Sequence, residues 1–294
     1  MFLFLSAKVK QFVRSFILAS VTAIFLVVIP GLSQTVQITP NNPQLGDTLS
    51  VVIEQPDRKL STPTVNMNGK TYPSFSIGQN RFRALLPTTP LDKSGQRLLQ
   101  VTTDTGLQNL TVNLQNRSFS TQSIWLPPEK ESLQGTDLEF DRVGAFKKLV
   151  TPEKLWNGPF LRPNNGPVST VYGVRRYYNG KFAEDYYHRG VDYADYKGSP
   201  VVAPAAGRIA LVGLESQGFK IHGNTVGINH GQGVTSIFIH LSRVNVREGS
   251  MVKAGQQIGT VGSTGASTGP HLHWGLYVHG QAVDPVPWRY GGIE

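Results

Sequence analysis

The chain contains no cysteine. Disulfides and thiolate metal sites are therefore excluded, and any metal must be held by nitrogen and oxygen ligands. No histidine precedes His188, and all 7 histidines fall between His188 and His279. Acid is scarce relative to base: 19 Asp and Glu stand against 28 Lys and Arg, a formal net charge of +9. That balance suits solubility or attraction to a polyanionic partner. No Lys/Arg cluster accompanies a recognition-helix pattern, so nucleic acid is not an expected partner. Long internal repeats and low-complexity tracts are also lacking.

One apolar run stands out. Lys8, Lys10 and Arg14 are followed by an uncharged stretch from Ser15 to Ser33. Residues 1–33 read as an export signal, with the small residues Gly31 and Ser33 at the −3 and −1 positions of a cleavage site. A retained membrane anchor is the competing reading, although the run before Pro30 is shorter than the about 20 residues of a typical span. The expected location is the periplasm or cell envelope, with membrane contact only if this segment is kept.

Residues 34–126 alternate apolar and polar side chains with period two. In "DTLSVVIEQP" Leu49, Val51 and Ile53 alternate with Ser50 and Glu54; in "QNLTVNLQN" Leu110, Val112 and Leu114 alternate with Thr111 and Asn113. Such runs form half-buried strands. Asn68-Gly69 between two of them is a hairpin-turn signal. A small β-sandwich-like module is expected here, without a reactive cluster. Trp125 to Pro128 marks a boundary. Residues 127–165 read as a linker with a short amphipathic helix, whose Leu138, Val143, Phe146 and Leu149 lie among charges such as Glu139, Asp141 and Arg142. Residues 166–294 return to short strands and glycine turns, with no long helical pattern after Trp156, so an antiparallel β domain is expected. The whole chain is thus read as all-β.

The histidines are grouped. "HRGVD" places His188 four residues before Asp192, and "HLH" places His271 two before His273. Residues i and i+2 on a strand share a face, so both rings of HLH can enter one site. A lone histidine in apolar surroundings is usually a satisfied structural ring, but two like-facing imidazoles need partners if buried. Three protein ligands and an open position make a catalytic zinc site. His188, Asp192, His271 and His273 offer four candidate groups where three suffice; the fourth is then free to act on water. "IFIHLS" adds His240 at the end of a strand-like run. His222, His230 and His279 sit beside glycine-rich turns and read as structural. "GASTG" around Ser267 matches G-x-S-x-G, but that elbow needs a following helix, and Pro270 with the HLH strand follows instead.

Together, "HRGVDYA", "IFIHLS", "GSTGASTGPHLHWGL" and "VDP" resemble the lysostaphin-type, or LytM-domain, zinc endopeptidases of bacterial cell walls. The resemblance covers roughly residues 166–288. It implies His188, Asp192 and His273 as Zn2+ ligands, His271 as a catalytic imidazole beside the metal, and His240 as its partner. It implies hydrolysis of peptidoglycan stem or cross-bridge peptides, with a D-amino-acid cross-link and an oligoglycine bridge both open. Many relatives have tyrosine where this chain has Phe238, so a contact near the ligands is expected to differ.

Three rivals remain. A non-catalytic module that activates another wall hydrolase should lack ligands, and this chain has them all. A biotinyl or lipoyl carrier would suit "VREGSMVKAGQQIG" but leaves HLH without a role. A different zinc hydrolase, such as an amidase, would act on the same polymer. The oligomeric state is not indicated.

Overall fold

A computed structural model describes residues 34–55, 61–125, 132–291 and 293. The expected export segment, and Leu126 to Glu129 at the expected boundary, lie outside the described residues. No helix among the described residues is long and apolar enough to cross a membrane.

Seven antiparallel strands open the fold: β1 (Thr35–Thr39), β2 (Thr48–Glu54), β3 (Thr64–Met67), β4 (Lys70–Gly78), β5 (Arg81–Pro87), β6 (Gly95–Thr103) and β7 (Gly106–Leu114). Their spatial order is β1-β2-β5-β4-β3-β6-β7. β4 joins two halves, because Lys70 to Pro73 pair with β3 while Ser74 to Gly78 pair with β5. Leu49, Val51 and Ile53 of β2 meet Val65, Leu99, Val101 and Val112 of the other half in one buried core. This is the sandwich-like packing that the alternation predicts. Asn68 (φ 55°) and Gly69 (φ 78°) form the two-residue hairpin turn between β3 and β4, where positive φ at both positions matches the twist of the strands.

A strand β8 (Thr121–Ile124) and a single described α-helix, α1 (Asp137–Lys147), follow. Thr136 caps α1 by accepting the Glu139 N–H. The helix buries Glu139, Val143 and Phe146. Leu138, expected on the apolar face, is 53% exposed, and the carboxylate of Glu139 takes the inward position instead. Residues 139, 143 and 146 share the i, i+4, i+7 stripe, and Leu138 is one residue out of phase with it.

The remaining strands are β9 (Val168–Thr170), β10 (Arg175–Tyr178), β11 (Lys181–Phe182), β12 (Val191–Ala194), β13 (Pro200–Val202), β14 (Gly207–Gly213), β15 (Asn224–Gly231), β16 (Val234–Leu241), β17 (Arg243–Val244), β18 (Met251–Val252), β19 (Gln257–Thr260), β20 (His271–Val278) and β21 (Gln281–Val283). The main antiparallel sheet runs β18-β14-β15-β16-β20-β12-β9, with β21 beside β20, and a small sheet β13-β19-β17 packs nearby. Most residues of β15, β16 and β20 are buried. That double-sided burial explains why these segments lack the clean polar/apolar alternation of the N-terminal strands.

Residues 34–294 form one compact unit. β5 is the shared wall. Ala84 and Leu86 face the sandwich core, while Leu85 joins the core of the C-terminal half. Arg83, fully buried, donates to Gln232 Oε1 at 2.5 Å and stacks 5.0 Å over the Trp156 ring. β8 pairs in parallel with β10.

Candidate metal centre

β12 and β20 are neighbours, and their register sets Asp192 directly opposite His273. Directly paired residues point to the same face, so the carboxylate and the ring meet. His188 lies in the irregular segment before β12. Its Nε2 is 3.0 Å from Asp192 Oδ1 and 3.0 Å from His273 Nδ1, and His273 Nδ1 is 2.8 Å from Asp192 Oδ1. Gly190 permits this approach. A Cβ there would collide with the Trp274 carbonyl oxygen and lie 2.8 Å from His273 Nε2.

The protons at this triangle can be assigned. His188 Nδ1 lies 2.8 Å from the Val171 carbonyl oxygen, which can only accept. Nδ1 therefore carries the proton, and in the neutral ring Nε2 presents a lone pair to Asp192 Oδ1, also an acceptor. A cation placed among these groups would reconcile them. Protonating both inward-facing nitrogens would leave two N–H groups opposed across 3.0 Å. One divalent ion satisfies all three groups, and two imidazoles with one carboxylate suit zinc with a position left open.

His271 is the other half of HLH. Its Nε2 is 3.9 Å from Asp192 Oδ1, while Nδ1 faces the Gly269 carbonyl oxygen at 2.8 Å. His240 holds the Thr264 carbonyl oxygen with Nδ1 at 2.8 Å, and its ring lies 4.9 Å from that of His271. A regular strand would not put His240 here. On β16 Phe238 pairs with Trp274 and Ile239 with His273, so position 240 would continue the Phe238 face, away from His273. Instead β16 carries one extra residue against β15 between Phe238 and Leu241, and His240 has φ 64°. This bulge turns the ring towards His271. It also answers the expectation about Phe238, whose fully buried ring shares the Trp274 face, opposite the His273 side.

Burial sets the charge states. Burial opposes ionisation of Asp192, but the neighbouring imidazoles of His188 and His273 outweigh it and hold the carboxyl well below its usual range. Burial pushes His273 down to about 4 against the pull of Asp192. It pushes His240 down to about 3, helped by repulsion from His271 and His273. His240 is a neutral ring at pH 7.

Residues 186–285 match the model of peptidase family M23. This stretch is a peptidase family M23 domain. The M23 domain is similar to the DD-carboxypeptidase/endopeptidase Mpg of Neisseria meningitidis serogroup B, 46% identical over 99 residues, covering 34% of this chain and 22% of Mpg. It is also similar to lysostaphin of Staphylococcus staphylolyticus, 42% identical over 106 residues, covering 34% of this chain and 22% of lysostaphin. The chain thus spans about a fifth of the length of the curated relatives it matches. A solved peptidase M23 structure from Pseudomonas aeruginosa aligns over 84% of this chain and 95% of its own, at 28% identity and a TM-score of 0.63.

The five residues singled out in sequence come together in the M23 domain. The rings of His222 and His230, in the same domain, make other contacts, and the His279 ring packs against Tyr72. His230 is fully buried between the Ala206 carbonyl and Ser236, and His222 pairs with Glu139. After Ser267 the chain enters β20 with no helix, so no nucleophile elbow forms. Arg176 of β10 was not foreseen. Its Nη2 lies 3.9 Å from Asp192 Oδ2, the oxygen turned away from the two imidazoles. "GVRRYY" gives no hint of this, because alternation along β10 leaves either arginine free to face the site.

Proposed function

We propose that the chain is an exported zinc metalloendopeptidase that hydrolyses peptide bonds in peptidoglycan stem or cross-bridge peptides. The observation that carries the reading is the convergence of His188 Nε2, Asp192 Oδ1 and His273 Nδ1 beside a second, independent pair of imidazoles. A binding module would have no use for that pair. The name of the Neisseria relative refers to bonds between D-residues, a hallmark of peptidoglycan, which favours a D-amino-acid cross-link over an oligoglycine bridge.

His188, Asp192 and His273 would hold the zinc. Bound there, zinc supplies Lewis acidity towards a carbonyl oxygen and towards water. The chain's own groups move the protons. His271 and His240 each give Nδ1–H to a backbone carbonyl, which fixes the tautomer and leaves Nε2 as a base. An Nε2 lone pair takes a proton as water adds to the scissile carbonyl. The resulting imidazolium returns that proton to the amine nitrogen as the C–N bond breaks. Arg176 offsets the charge of Asp192 at Oδ2.

The test separates ligand from base. His273→Ala should lose zinc from the purified protein. His271→Ala should keep zinc and slow digestion of sacculi by about 10²–10⁴-fold. Equal zinc loss in the two variants would overturn the division of roles.

A further inference from the structure

Glu139 belongs to α1, outside the M23 domain, and its side chain is fully buried. Its carboxylate accepts the N–H of Lys220 at 2.9 Å, of Ile221 at 3.1 Å and of His222 at 2.6 Å, together with His222 Nδ1 at 2.6 Å. Thr136, the helix cap, donates its hydroxyl to the Gly218 carbonyl of the same loop at 2.9 Å. A fully buried carboxylate is costly unless its lone pairs are filled, and here they are filled by one short loop. Burial alone would raise the Glu139 carboxyl, but the hydrogen bonds from His222 and Ile221 bring it down to about 2.

That loop reaches the site. The His222 carbonyl accepts the His240 N–H at 3.0 Å. The Ile221 carbonyl accepts the Ala266 N–H at 2.9 Å, tying down the segment whose Thr264 carbonyl holds His240 Nδ1. Both groups that orient His240 therefore rest on the loop that Glu139 clamps. His240 needs such support, because a non-glycine residue at φ 64° is held in a sparsely populated conformation.

We infer that Glu139 is a positioning residue for the His240 imidazole, acting through the 220–222 loop. The inference rests on the reading of His240 as a proton-transfer group. Glu139→Gln keeps the volume but replaces one acceptor oxygen with a donor amide, so part of the clamp is lost.

The test is a double-mutant cycle on the zinc-loaded full chain with a soluble cross-linked muropeptide dimer. Glu139→Gln should lower kcat about 10–100-fold, as loss of an orienting partner does, with KM and bound zinc unchanged. In a His240→Ala background the same change should cost nothing further. An unchanged kcat, or an equal loss in both backgrounds, would overturn the clamp. Full activity in His240→Ala alone would instead overturn the role of His240, and the clamp with it. If Glu139→Gln does not fold, as judged by thermal unfolding, Glu139→Asp retains the charge on a stem one methylene shorter. The same cycle with that variant then supports or overturns the clamp by the same outcomes.

Discussion

The direction of each Nδ1 separates the histidines. His271 spends it on the Gly269 carbonyl, whereas His273 turns Nδ1 to Asp192 and His188. The two residues share a strand face, so spacing alone left four candidates for three ligand places, and only hydrogen-bond partners tell the rings apart. Gly190 is the other decisive residue. Any Cβ there collides with the β20 backbone at Trp274 and crowds the edge of the His273 ring. Gly190→Ala should therefore weaken zinc binding about 10–100-fold, the usual effect of disturbing a ligand's support. Competition with a chromogenic chelator measures it. Unchanged affinity would mean that the ring has room to move.

Strands and turns were largely legible. The period-two runs, the Asn68-Gly69 hairpin and the absence of a long helix after Trp156 all follow from local pattern. The β16 bulge was not, since an extra residue on one strand leaves no trace in alternation when both faces are buried. Nor was the inward turn of Glu139, a charge in phase with Val143 and Phe146 on the helix stripe. A staple joins β15, β16 and β20 through side chains. Trp274 Nε1–H donates to Ser236 Oγ, Ser236 O–H to His230 Nε2, and His230 Nδ1–H to the Ala206 carbonyl. Burial lowers His230 from 6.5 to about 4. Above pH 6.5 the ring is neutral in both states. Below it the unfolded chain takes up a proton that the folded ring refuses until about pH 4, so stability falls as the pH drops through this window. His230→Gln removes the titration. Urea unfolding at pH 7 and pH 5 should show the parent chain losing about 2 kcal/mol more than the variant. Equal losses would mean that the folded ring protonates without penalty.

The two halves are coupled by contacts that join residues far apart in sequence. Trp288 Nε1 donates to Thr48 Oγ1 at 3.3 Å, Arg117 pairs with Asp284 at 2.7 Å, and the Phe119 and Tyr172 rings meet edge to face at 6.4 Å. With Arg83 and Leu85 of β5 also turned to the C-terminal half, the sandwich forms part of that half's packing. A boundary near Trp125 is what composition suggests, because each half has its own alternation. Composition carries no signal for a strand whose two faces serve two cores. The contact of β8 with β10 brings the 121–124 segment alongside Arg176, and so to one side of the candidate metal centre.

The proposed activity is hydrolysis of peptide bonds in peptidoglycan. The most direct measurement is mass spectrometry of the products released from purified sacculi by the zinc-loaded full chain. The account predicts new amine and carboxyl ends in equal number within the peptides, with glycan chains and the lactyl–peptide link intact, and no such ends after chelation. Release of whole stem peptides from the lactyl group would contradict it and identify an amidase; intact sacculi under zinc-loaded conditions would contradict it as well.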